Sequence, residues 1–173
     1  MRKALVVALI ARRLGVRRTR LTSLVQRLSE DGMLPVSSGP PYPDLNHVEA
    51  AHVLLAAAVD EGIAAAPDVV EKYGSLLGPT SNLEAAIAHT LARPDSLPPR
   101  FTSLELHCDA APHALLTMMT SDGMRTSVFG DMPETETVDR MVTLSGSALF
   151  GIASELAGMS ALYVDALLDR NAK

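Results

Sequence analysis

Residues 7–26 read VALIARRLGVRRTRLTSLVQ, and this stretch decides how the N-terminal part of the chain folds. Gly15 divides it. Before the glycine, residues 3–14 are apolar almost all round, with the small Ala11 four positions ahead of the turn. After it, residues 17–29 place Leu21, Leu24, Val25 and Leu28 on one stripe at helical spacing. Glycine takes a left-handed backbone without strain, so two helices meeting there form a tight corner. Gly32 follows the second helix as a C-cap and Pro35 prevents its continuation. The face opposite the leucine stripe carries Arg17, Arg18, Thr19, Thr22, Ser23 and Gln26.

The same region is where the charge concentrates. Residues 1–35 hold eight basic side chains (Arg2, Lys3, Arg12, Arg13, Arg17, Arg18, Arg20, Arg27) against two acidic ones, Glu30 and Asp31. The remainder holds seven basic and eighteen acidic residues, so the net charge of −5 hides a positive end on an acidic body. A concentrated positive end predicts a polyanionic partner, and the acidic body discourages coating of nucleic acid by the whole surface.

The pattern of residues 7–26 resembles the helix-turn-helix motif of DNA-binding proteins. Ala11 stands where that motif has its small first-helix residue and Gly15 where it has its turn glycine. Ile10, Leu14, Val16, Leu21 and Leu24 fill its apolar positions. The resemblance implies that the second helix enters the major groove and that Arg17, Arg18, Thr19, Thr22, Ser23 and Gln26 read base edges. Lys3, Arg12, Arg13, Arg20 and Arg27 flank that face as phosphate contacts. A third helix must complete the core, and residues 46–59 are its natural source. With Gly32-Met33-Leu34-Pro35 as the turn and residues 44–50 as the next helix entry, the arrangement resembles the N-terminal domain of MerR and excisionase-type regulators. Residues 36–43 would be the wing, but they lack the aromatic–basic pair those regulators use on phosphates. Residues 28–58 also resemble helix-turn-helix proteins found near prophage and gene-transfer-agent genes.

Outward from the motif, the spacing predicts a helical middle. Asn46 with Glu49 caps one helix, Pro67 opens a second that ends near Gly74, and Ser81 with Glu84 caps a third over residues 85–93. Pro94, Pro98 and Pro99 then break the chain. Beyond them the period changes to two: residues 101–108, 114–120, 124–129 and 138–144 read as strands, with a hairpin at Asp122-Gly123. Ser145 or Ser147 caps a helix through Ala157, and Ser160 opens a last one through Asp169. The fold class is therefore α+β, mainly α: a helix-turn-helix domain over residues 1–62, a helical linker over 63–95, and an α+β unit over 96–173 that dimerises or binds a protein partner.

The chain has 173 residues, 47% of them hydrophobic, 20% charged and only 3% aromatic, and it has no Trp. One core or two small ones fit this length, and aromatic stacking is not the main means of binding. A single Cys excludes an intramolecular disulfide and a Cys-only zinc site. The longest apolar stretch, residues 48–66, carries Glu49, His52, Asp60 and Glu61, which disqualifies it as a membrane span. No secretory leader is legible, and we expect a cytoplasmic protein. His107, Cys108 and His113 have poor metal spacing, because adjacent strand residues point to opposite faces. Ser145-Gly146-Ser147 is not a nucleophile elbow, and no glycine-rich phosphate loop is present. We expect no catalytic residues, no metal and no cofactor. The partners expected are double-stranded DNA and a second copy of the chain. The alternatives are a phage small-terminase-like packaging subunit, which would form rings, and a helical adaptor without a DNA role.

Overall fold

The computed structural model describes residues 1–36, 43–96, 102–108, 111–120, 122–133 and 140–171. Five helices come first: α1 Lys3–Leu14, α2 Arg18–Glu30, α3 His47–Val59, α4 Ala66–Gly74 and α5 Leu83–Leu91. A four-stranded antiparallel sheet follows, made of β1 Ser103–His107, β2 His113–Thr120, β3 Gly123–Phe129 and β4 Met141–Ser145. Helices α6 Gly146–Leu156 and α7 Ala161–Asn171 close the chain. The sheet order is β3-β2-β1-β4. This is the α+β, mainly α architecture that the patterning predicts.

Residue types account for the elements. Helix α1 ends because Gly15 adopts φ 68° and ψ 18°, which lets Val16 N–H reach the Ala11 carbonyl at 2.9 Å and Gly15 N–H the Arg12 carbonyl at 3.3 Å. Gly32, at φ 83°, ends α2 by the same geometry, with Met33 N–H on the Leu28 carbonyl at 2.9 Å. Asn46 and Glu49 form a reciprocal capping box on α3, at 2.9 and 2.7 Å. Helix α5 is capped by Asn82, whose side chain accepts from Ala85 N–H at 3.0 Å. The expected Ser81–Glu84 box does not form there, because Glu84 accepts from His52 Nε2 at 2.7 Å and ties α5 to α3.

Helix α3 is the hub. Its Ala50, Val53, Leu54, Leu55 and Ala57 are buried against α1 and α2 on one side and α4 and α5 on the other. It is thus the third helix that the N-terminal corner requires. The buried residues form one cluster running from Val6 to Ala153, across the expected boundaries at 62/63 and 95/96. Residues 63–95 contribute Val69, Tyr73, Leu83 and Ile87 to this core, and α6 packs directly on α1 and α5.

The sheet register decides which apolar residues of the hairpin share a face. Leu116 pairs with Ser127 and Met118 with Arg125, whereas Met119 pairs with Met124 and Leu115 with Val128. Met124 and Val128 therefore lie on the opposite face from Leu116 and Met118, since paired residues share a face. The inner face, with Leu104, Leu106, Ala114, Leu116 and Leu144, is buried by elements that include α5 and α6. The C-terminal helices alone do not cover it. The expected wing lies mostly outside the described residues, as do residue 101 and residues 138–139 of the expected strands. At the wing's far end, Asp44 bridges Arg2 in antiparallel fashion, and Leu45 N–H donates to the Met1 carbonyl at 2.6 Å. Nothing in the residue pattern marked this clip. No helix among the described residues is long and apolar enough to cross a membrane.

Candidate nucleic-acid interface

The corner between α1 and α2 positions every residue of the expected interface. Ala11 is buried at the helix crossing and Leu21 and Leu24 face inward, fully buried. That orientation turns Arg17, Arg18, Thr19, Thr22 and Gln26 outward, with Ser23 half-exposed. Arg17 stands at the N-cap of α2 with φ −60° and ψ 128°, and no side chain caps the helix. The first-turn amides therefore lack the usual intramolecular acceptor, and no acidic residue occupies that turn. Positive potential from these amides adds to two arginines at the same end. Among the described residues, neither Arg17 nor Arg18 has an ion-pair partner. A shallow open depression of about 400 Å³ runs along Arg17, Thr19, Arg20 and Ser23. A second, of about 540 Å³, lies between Arg2, Lys3 and Arg18 over Val7 and Val25.

The polar side chains of this face already bond locally. Thr22 Oγ1 donates to the Arg18 carbonyl at 2.9 Å and Ser23 Oγ to the Thr19 carbonyl at 3.2 Å. Both hydroxyls keep their acceptor capacity for a base amino group. Gln26 Nε2 donates to Glu30 at 2.9 Å, a bond that bidentate contact with adenine would have to replace.

The five flanking cations are differently placed. Lys3 Nζ donates to Ser29 Oγ and to the Pro35 carbonyl, and burial pushes its pKa down against the opposing influence of Glu49. Arg20 bonds Asp60 through both Nε, at 3.1 Å, and Nη2. Arg27 sits 3.6 Å from Asp31, one helical turn away. Arg12, 48% exposed, bonds Glu155. Arg13 is only 11% exposed. Its Nε and Nη2 lie 2.7 and 2.6 Å from Glu155, and its Nη1 lies 2.7 Å from Asp165. Of the expected phosphate ligands, Arg13 thus has its guanidinium occupied by two carboxylates, from α6 and α7. Glu155, Asp165 and Asp60 all come from outside residues 1–35, so much of the excess charge of that region is compensated in space. Arg2, exposed just ahead of α1, is a further cation beside this face that was not among the expected phosphate contacts.

His107 and His113, whose spacing does not suit a metal, stack face to face with centroids 4.0 Å apart and both are buried. They are direct cross-strand partners, and parallel rings do not converge on a metal. No group of three metal-binding side chains converges among the described residues. Compared with protein-family models, curated proteins and solved structures, the chain finds no match.

Proposed function

We propose that this chain is a cytoplasmic, sequence-specific DNA-binding regulator of transcription that acts as a homodimer, with α1 and α2 forming a helix-turn-helix and α2 lying in the major groove. The observation that carries the reading is the uncapped start of α2, where Arg17 and Arg18 stand exposed and without acidic partners among the described residues. A helix end of this kind attracts phosphate, and its arginines reach the acceptor edge of guanine bidentately. Thr19, Thr22, Ser23 and Gln26 extend the same face. Arg2 joins the phosphate contacts, while Arg13 belongs to the support of the corner. The role is one of recognition, not of catalysis.

Selection of bound duplexes from a random pool tests this. The parent protein should enrich a defined motif. Arg18→Ala should lose preference at particular positions, at about 1–3 kcal/mol per lost bidentate contact. Arg18→Lys, which keeps the charge but not the planar fork, should lose specificity more than bulk affinity. Identical sequence profiles for parent and Arg18→Ala would defeat the readout claim.

A further inference from the structure

Strand β3 forms one edge of the sheet, and among the described residues no strand pairs with its outer side. An edge strand presents unpaired N–H and C=O groups, and proteins that leave one open usually blunt it with Pro, clustered charge or a bulge. None of these protects the middle of β3; past its C-terminal end another segment approaches, where Gly130 N–H donates to the Leu77 carbonyl at 2.9 Å. Its sequence, Gly-Met-Arg-Thr-Ser-Val-Phe, has no Pro and one charge, Arg125. Its pairing with β2 runs without interruption from Ala114↔Phe129 to Thr120↔Gly123, so no bulge turns it away. Its first half is open on both faces: Met124 is 68% exposed, and Arg125 and Thr126 are exposed as well.

We infer that two copies of this chain pair through β3, antiparallel about a two-fold axis at Thr126, so that two four-stranded sheets become one continuous sheet. Symmetry and charge select this register. A two-fold axis normal to the sheet keeps each face on its own side, so facing residues must differ by an even number of positions. Centring on Thr126 overlaps the whole strand: Met124 of one copy meets Val128 of the other, Arg125 meets Ser127, and Gly123 meets Phe129. Centring on Arg125 instead sets two guanidinium groups directly opposite each other, which is unfavourable. Centring on Ser127 sets Met124 opposite Gly130, whose N–H already donates to the Leu77 carbonyl at 2.9 Å. In the chosen register the two Met124–Val128 pairs extend the outer-face apolar strip of Leu115 and Met119, both half-buried within one copy. This surface supplies the dimer that the DNA-binding reading calls for. Its test uses no DNA, so the two readings fail separately.

The experiment uses the full chain in a Cys108→Ser background. Sedimentation of the parent at about 100 µM should give a dimer, the concentration reflecting the modest area of a strand-edge interface. Thr126→Lys places like charges opposite each other at an exposed position, and should weaken dimerisation at least tenfold with an unchanged circular dichroism spectrum. Under mild oxidation Thr126→Cys should cross-link to a covalent dimer, because the two positions face each other directly. Arg125→Cys should not, because its symmetry mate is a diagonal neighbour beyond disulfide reach. A monomeric parent, a ring of eight or more subunits, or equal cross-linking at both positions would overturn the inference. If Thr126→Lys fails to fold, the pair of cysteine variants decides alone.

Discussion

Gly151 of α6 is buried beneath the Arg13 side chain, and replacing it with alanine should be costly for a reason peculiar to that arginine. An added Cβ would stand 2.7 Å from Nε and 2.9 Å from both Cδ and Cζ. A free arginine would swing aside. Here the guanidinium is held on both sides, by Glu155 at 2.6 to 2.7 Å and Asp165 at 2.7 Å. Moving it loosens at least one charge-assisted hydrogen bond, each contributing about 1.5–3 kcal/mol. Alanine's better helix propensity returns about 0.5–1 kcal/mol. The net loss for Gly151→Ala is about 1–2 kcal/mol, and for a chain of this size that lowers Tm by about 2–8 °C. In an Arg13→Ala background the obstruction is gone, and the same substitution should stabilise by about 0.5–1 kcal/mol. Glu155 keeps Arg12 as a partner in that background. Urea unfolding of the four proteins of this cycle reads the coupling directly. If Gly151→Ala stabilises the parent, or changes both backgrounds equally, the ion cluster does not hold α6 against α1 as described.

Three further outcomes follow from the same geometry. At Gly15 an added Cβ meets nothing within 4 Å, so only the positive φ resists substitution. Gly15→Asn should therefore be nearly neutral and Gly15→Val should lose about 1–3 kcal/mol in thermal unfolding, and equal stabilities would contradict this. Because Arg13 and Arg20 are held internally, DNA binding by a dimer should fall with log salt at a slope of about −4 to −5, from two or three phosphate contacts per protomer. A flat response in a salt titration of binding would refute the electrostatic mode. The hydrogen bonds from Arg20 hold the Asp60 carboxyl below its ordinary value of 3.8. Its contribution to stability is then complete above that value and lost as pH falls through the lower folded-state value. Asp60→Asn should remove that part of the decline below about pH 4, and an unchanged acid limb in urea midpoints would rule the linkage out.

How much of this was legible in the residues is clearest at the N-terminal corner. Ala11, Gly15, the leucine stripe and Gly32 are local signals, fixed by side-chain size, by the absence of a Cβ and by helical period. The structure places α1 and α2 within a residue of where these signals put them. The hairpin and the capping box at Asn46 are legible for the same reason, since each is completed within a few residues. The exposed face of α2 also follows, because burying Leu21, Leu24 and Leu28 leaves Arg17 and Arg18 outside.

The sequence by itself thus determined the elements, the buried face of α2 and the excess of positive charge in residues 1–35. Only the tertiary structure decided which of those charges remain open. Arg13 meets Glu155 and Asp165 more than 140 residues away in the chain, and Arg20 meets Asp60 forty residues away. No period or spacing encodes such pairs. They exist because α6 packs on α1 and α7 packs on α6, within a core that also runs through residues 63–95. Sheet order is likewise non-local: β4 joins β1 rather than β3, which leaves β3 as an edge. Local patterning fixes what each segment is, because its causes lie within a turn or two. Long-range packing fixes what each side chain meets, because burial is shared across the whole core.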